Sequence, residues 1–203
     1  MGNIKNSIPD HIVQKLKNDM VEVDGDATHL FIGKRFKVRD LIEQALNGNL
    51  DSFGFVASLY FWGHVLEKNS KIALDILEWI ISSNITSRPA FEYAYARYLI
   101  QLKDFNSAIV HLETLVGESH GMAMTTLAYL YRDGYGVRKN ANLYRKYLKN
   151  GARTGDPQSR TALMHFYIRK GGIISILMAV LVFLSNIPAI IKLAFTRKYN
   201  GRI

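Results

Sequence analysis

The chain has 203 residues, of which 48% are hydrophobic and 21% are charged, a balance that excludes a wholly disordered protein. It contains no cysteine, which excludes disulfides and thiolate zinc sites. The net charge of +9 is uneven, because residues 1–131 carry 12 basic and 15 acidic residues, whereas residues 132–203 carry 14 basic and two acidic residues. Such asymmetry indicates a polyanionic partner, either nucleic acid or an anionic membrane.

The first 47 residues are predicted to hold two helices. Residues 10–20 form one, and residues 39–46 form the other, with three apolar side chains on one face and Gly48 after its end. Residues 21–36 between them are predicted as loop or short extended structure. We interpret residues 1–47 as an N-terminal capping region, the default element at the end of a helical-repeat array.

One spaced pattern then occurs twice. The residues Ala57, Leu59, Tyr60, Gly63 and Asn69 recur 71 positions later as Ala128, Leu130, Tyr131, Gly134 and Asn140. Internal repetition is typical of solenoid folds. The second copy, Leu-Tyr-Arg-Asp-Gly-Tyr-Gly-Val at residues 130–137, resembles the Sel1-like repeat, a relative of the tetratricopeptide repeat. The resemblance covers residues 48–170 and implies an all-α solenoid whose helix pairs contact partner proteins.

Tyrosines and capping residues set the phase of the repeats. Helix A of each unit is predicted to end near a tyrosine, and helix B to begin at an Asn or Asp whose side chain accepts an N–H of the first turn. The predicted repeats, each a pair of helices, are residues 48–84, 88–118 and 121–155, with half a repeat at 156–170. Tyr144 departs from the pattern, which places a small residue there. The residues with predicted repeat-structural roles are Tyr60, Gly63, Asn69, Asp104, Ala108, Tyr131, Gly134 and Asn140.

An apolar segment follows the predicted repeats. Residues 171–191 carry no charge, and a helix needs roughly 20 apolar residues to cross a bilayer. We predict a membrane segment at residues 171–195 and a basic tail at 196–203. A single pass is favoured, but a re-entrant hairpin bent at Pro188 stays open, because both flanks are cationic. The side chains predicted to lie in the membrane are Ile173, Ile176, Leu177, Val180, Leu181, Phe183, Leu184, Ile187, Ile190 and Ile191.

Cations precede this segment and predict contact with anionic lipid at the cytosolic face. Nucleic-acid binding is disfavoured, because the basic block adjoins the membrane segment rather than forming a free surface. The predicted lipid-contacting residues are Arg145, Lys146, Lys149, Arg153, Arg169 and Lys170.

No catalytic, metal or cofactor signature is found in the sequence. The six histidines include no pair at i, i+4 around a carboxylate, the pattern of a helical zinc site. Gly134-Tyr135-Gly136 is interpreted as a turn rather than a phosphate-binding loop, because it lies between two helices and not between a strand and a helix. Aromatic residues on the A helices are candidate contacts, because aromatic anchors often dominate interface energy. Trp62, Tyr93 and Tyr95 are the predicted partner-binding residues.

The expected function is that of a membrane-anchored cytosolic scaffold or adaptor, not an enzyme, that binds a protein partner through its helical-repeat surface. The alternative is an accessory subunit, or an enzyme, of a membrane complex such as one for surface-polysaccharide synthesis or export. Neither reading requires a cofactor.

Overall fold

The computed structural model describes residues 8–23, 28–31, 34–83, 89–184 and 187. The chain divides into two compact units, residues 1–102 and residues 103–203. Helix pairs occupy the described part of each unit, which confirms the predicted helical-repeat fold.

Unit 1 begins with a helix, a hairpin and a second helix. The hairpin is antiparallel and pairs Thr28 with Lys37; it lies in the stretch predicted as loop or extended structure. This strand pair is the one departure from all-α structure among the described residues. The elements of unit 1 are α1 (Asp10–Glu22), β1 (Thr28–Phe31), β2 (Lys34–Lys37), α2 (Val38–Leu46), α3 (Leu50–Trp62), α4 (Ser70–Ser82) and α5 (Pro89–Gln101).

The core of unit 1 is built around α3. Phe53 and Tyr60 of α3 are fully buried, and Phe53 contacts Trp79 of α4 with ring centroids 5.1 Å apart. Ile12 and Leu16 of α1 are buried in the same core. The N-terminal helix therefore belongs to the hydrophobic core of this unit, where it packs mainly on α2 and also on α4.

The described part of unit 2 contains helices that pack in chain order, and α7 also packs on α9. Stacking of one A helix on the next is the geometry expected of a solenoid. The elements are α6 (Phe105–Gly117), α7 (Gly121–Asp133), α8 (Ala141–Arg153) and α9 (Pro157–Lys170), and residues 173–184 are also helical.

A buried polar cluster joins α7 to α9. The Asp156 carboxylate caps α9 by accepting the Ser159 N–H at 2.7 Å, and it also accepts the Thr125 hydroxyl of α7 at 2.6 Å. The Thr125 and Ser159 hydroxyls are themselves hydrogen-bonded to each other. Because buried polar groups are costly unless paired, this cluster fixes the distance and register of the two helices.

The apolar segment, defined here as residues 173–184, lies against unit 2 through a narrow face. Ala179 is buried in the core of unit 2, and Val182 packs partly against it. The remaining large side chains are exposed; Ile173 and Ile174, for example, are each 80% exposed. No helix within the described ranges is long and apolar enough to cross a membrane. The predictions that concern Ile190, Ile191, Pro188 and the basic tail fall outside the described residues.

Candidate functional site: an aromatic and cationic groove in unit 2

Three helices of unit 2 bring aromatic and cationic side chains together. Residues three or four apart share one face of a helix, so Tyr129 and Arg132 of α7 project side by side. The residues of α9 follow the same spacing. Together they form a groove that is lined by Tyr129, Arg132, Tyr144, Ala162, His165, Phe166 and Arg169.

The groove is large enough for several side chains of a partner. Its volume is about 460 Å³, within the range of ligand-binding clefts. It continues into a second cavity of about 510 Å³, which reaches Pro157, Gln158 and Thr161 near the start of α9. Tyr129, Ala162 and His165 line both, so the two cavities adjoin one another.

Arg132 places a positive charge at the groove. Arg132 holds Asp133 in a bidentate pair, with Nε–Oδ1 at 2.7 Å and Nη2–Oδ2 at 2.8 Å. This pair raises the pKa of the Arg132 guanidinium and lowers the pKa of the Asp133 carboxyl. The guanidinium carbon also lies 4.6 Å from the centre of the Tyr129 ring, a cation–π distance. Asp133 and the Tyr129 ring therefore orient the Arg132 guanidinium at the groove.

Tyr144 of α8 supplies the aromatic wall. Its ring centroid lies 6.5 Å from that of Tyr129 and 5.8 Å, edge-on, from that of Phe166. Burial raises the pKa of the Tyr144 phenol, and the cation of Arg132 opposes that rise. The phenol therefore stays protonated at neutral pH and remains a hydrogen-bond donor.

Arg169 completes the cationic end of the groove. It is exposed and lies one turn after His165, and no carboxylate of the described residues forms an ion pair with it. No Asp or Glu lines either cavity. The site thus offers guanidinium and phenol donors beside ring faces, which suits an anionic group flanked by apolar surface.

The sequence-predicted partner contacts lie in unit 1, away from the groove residues in sequence. Trp62 is 45% exposed and lies edge-on to Tyr98, with ring centroids 6.4 Å apart. Tyr93 and Tyr95 are only half-buried, and Tyr95 packs against the core of unit 1. Their role as partner contacts stays a prediction.

The predicted lipid-contacting cations divide between two helices. Those on α8 are exposed or half-buried, and the two on α9 are the last two residues of that helix. Arg169 lines the groove, which sequence reasoning did not anticipate. The α8 residues are Arg145, Lys146, Lys149 and Arg153, and the α9 residues are Arg169 and Lys170.

Sequence reasoning also missed Arg132, His165 and Phe166 as site residues. The signal that could have found the groove is Tyr144, which replaces a small residue in the repeat, together with the i, i+4 spacing of His165 and Arg169. Within the described ranges, His, Asp and Glu side chains form no group of three that could hold a metal ion.

Comparison with solved structures identifies Sel1-repeat folds. The chain is similar to a Sel1 repeat protein from Oxalobacter formigenes, with a TM-score of 0.56 and 19% identity over 69% of this chain. It is also similar to a protective antigen of uropathogenic Escherichia coli that displays an SLR fold, with a TM-score of 0.55 and 16% identity over 66% of this chain. The matches span 58% and 29% of those two proteins, respectively.

These similarities confirm the Sel1-like fold that the residue pattern predicted. No protein-family model matches the chain, and no curated protein matches its sequence.

Proposed function

We propose that this protein is a scaffold that binds a protein partner through its helical-repeat surface. The observation that carries the proposal is the groove of unit 2, where ring faces and arginines line an open cleft. Aromatic and arginine side chains are the residues that most often dominate protein interfaces. The Sel1-like fold is consistent with this role, but the site rather than the fold supports it.

We further propose that the apolar segment attaches the protein to the cytosolic face of a membrane, as a single pass or a re-entrant element. Its exposed side chains support the proposal, because a contiguous exposed apolar surface marks a contact with a partner or a membrane. The exposed members include Ile176, Leu177, Leu181 and Leu184. Cations close to the surface of an anionic leaflet each contribute about 1 kcal/mol, and Lys170 lies three residues before Ile173, the first residue of the segment.

Site-specific photo-cross-linking tests the scaffold proposal. A benzophenone amino acid at Tyr129, within the groove, should cross-link the full chain to a partner protein in its native membranes. The same probe at the exposed Lys146 of α8, outside the groove, should not. The cross-link should weaken in a Phe166→Ala background. Equal cross-linking from both positions, or products containing this chain only, would contradict the proposal.

Vesicle flotation tests the membrane proposal separately. The full chain should float with vesicles that contain phosphatidylglycerol, and Leu177→Asp with Leu181→Asp should abolish flotation, because charges are expensive in the apolar phase. Val110→Asp is the matched control, since Val110 of α6 is 63% exposed and lies outside the apolar segment. Flotation that survives the double substitution would count against attachment through this segment.

A further inference from the structure

We infer that the groove binds an acidic segment of its partner protein. A carboxylate of that segment sits between Arg132 and Arg169, and a neighbouring apolar or aromatic side chain lies on Tyr129 and Ala162. This inference rests on the proposed function, because it specifies the chemistry of the partner at the same site.

Charge identifies the anion. Arg132 is already paired with Asp133. It therefore contributes oriented N–H donors more than net positive charge. Arg169 forms no ion pair with any described residue, and its guanidinium can offer a fork of donors to a carboxylate. Residues 132–203 carry 14 basic and two acidic residues, and of those two acids Asp156 is buried in the cluster with Thr125. A basic partner would meet uncompensated repulsion here.

Shape identifies the apolar neighbour. Ala162 is 7% exposed and forms the floor, so the small side chain leaves depth between α7 and α9. Tyr129, Tyr144 and Phe166 surround that floor with ring edges and faces. A bound apolar or aromatic side chain would be desolvated there, which is the setting in which interface anchors contribute most.

The distribution of donors along the groove favours a polypeptide over a polyanion. Arg132 and Arg169 lie in one cavity only, and the continuation toward Gln158 and Thr161 contains no Lys or Arg. A nucleic-acid backbone needs cations along its whole path. An acyl chain would gain nothing from the polar side chains of Gln158 and Thr161, whereas a peptide backbone can hydrogen-bond to both.

Peptide selection followed by binding measurements tests the inference. Random 12-residue peptides displayed on phage are selected on the full chain in neutral detergent. We expect enrichment of Asp or Glu beside an aromatic or aliphatic residue. In fluorescence anisotropy, replacing that acid by its amide should weaken binding by about tenfold or more, the usual effect of losing a charged hydrogen bond.

Variants of the chain locate the effect. Arg169→Gln should bind the acidic peptide about tenfold less tightly and should no longer distinguish it from the amide version, and Arg169→Lys should recover part of the affinity. Arg138→Gln is the matched control, because it removes the same charge from an exposed residue outside the groove. Unchanged thermal melting of Arg169→Gln shows that the loss does not come from unfolding.

Several results would overturn the inference. Enriched peptides without acids, no enriched peptide, or an Arg169→Gln variant with unchanged affinity would each do so. The inference would also be overturned if single-stranded DNA or phosphatidylglycerol vesicles bound more tightly than any peptide and that binding depended on Arg169. These failures are distinguishable from failure of the proposed function, because photo-cross-linking from Tyr129 reports partner binding whatever the charge of the partner.

Discussion

The helix pairs α3–α4 in unit 1 and α7–α8 in unit 2 share one turn but differ in what covers them. Gly63 and Gly134 end the first helices in the left-handed conformation, with φ of 69° and 80°. The N–H groups of Asn69 and Asn140 donate to the carbonyls of Tyr60 and Tyr131, both at 2.9 Å. The repeated residues thus specify the same backbone turn in each unit.

The repeated tyrosine has a different environment in each unit. Tyr60 is fully buried, and its hydroxyl donates to Asp19 of α1 at 2.5 Å. Tyr131 is half-buried and stacks on Tyr147, with ring centroids 5.7 Å apart. The identical residue is therefore a polar link to the N-terminal helix in unit 1 and an aromatic contact within a helix pair in unit 2.

The residue four positions after the capping Asn of helix B differs between the two helix pairs. Ala73 of α4 is fully buried, as expected where two helices approach closely. Tyr144 occupies the equivalent place on α8, and its ring is half-buried against Phe166. At this position the buried alanine of α4 is replaced in α8 by a half-buried tyrosine that lines the groove.

The largest expected difference in stability between the two helix pairs comes from removing the hydroxyls of the repeated tyrosines. Tyr60→Phe leaves the buried Asp19 carboxylate with one partner fewer, so it should lower the free energy of unfolding by about 1–3 kcal/mol. Tyr131→Phe should change it by less than about 0.5 kcal/mol, because the Tyr131 hydroxyl forms no hydrogen bond with the described residues. Urea unfolding of the two variants measures both values, and equal losses would contradict the contrast.

Alanine at the two turn glycines should destabilise both units. A non-glycine residue in the left-handed conformation costs about 1–2 kcal/mol. Gly63→Ala should cost more than Gly134→Ala, because the added carbon would lie 2.8 Å from Cβ of Lys68, near the backbone, but 2.8 Å from the more flexible Cγ of Lys139. Thermal unfolding tests the order, and a smaller loss for Gly63→Ala would refute it.

Loss of the helix-B caps should have a similar effect in both units. Asn140 accepts the N–H groups of Asn142 and Leu143, each at 3.0 Å, and Asn69 accepts the N–H of Ile72 at 3.1 Å. Asn140→Ala and Asn69→Ala should each cost about 1 kcal/mol. Hydrogen exchange in the first turns of α8 and α4 reports the loss; an unchanged melting temperature for Asn140→Ala would refute this role.

The caps of the two A helices should respond differently to pH. Asn49 caps α3 and cannot titrate, whereas His120 caps α7 through Nδ1, which accepts the Ala123 N–H at 3.2 Å. Burial lowers the pKa of His120, although Asp156 and Glu118 oppose the shift. The fold thus favours neutral imidazole, and protonation removes the acceptor.

His120 should therefore stabilise unit 2 fully above its unfolded pKa of about 6.5, and that contribution should be lost as the pH falls through its lower folded pKa. The expected loss is below about 1 kcal/mol. Comparing melting temperatures at acidic and neutral pH for the wild-type chain and His120→Asn measures it. An identical pH dependence in the two proteins would contradict the role of His120, because the other histidines are the same in both.

Local signals in the sequence predicted the helices and their limits well. Residues 10–20 and 39–46 were predicted as helices, and the structure places α1 at Asp10–Glu22 and α2 at Val38–Leu46. Apolar periodicity and capping residues act within one or two turns, so they can be read from neighbouring residues. For residues 21–36 the sequence predicts only loop or short extended structure, because strand pairing depends on partners outside each strand.

The groove could not be predicted from the same signals. Tyr129, Tyr144 and Arg169 come from three helices, and their proximity depends on how α7, α8 and α9 pack. The sequence marked Tyr144 only as an irregularity of the repeat and assigned Arg169 to lipid. Spacing along one helix predicts which side chains share a face, but it does not predict which faces meet.

By itself, the sequence determined the repeat, its turns and its caps, because Gly63, Gly134, Asn69 and Asn140 act through the conformation and hydrogen bonds of their own backbone neighbourhood. Only the tertiary structure decided that Tyr60 binds Asp19 while Tyr131 stacks on Tyr147, and that Tyr144 lines the groove whereas Ala73 is buried. Those outcomes depend on packing between helices, which determines the contacts available to each side chain.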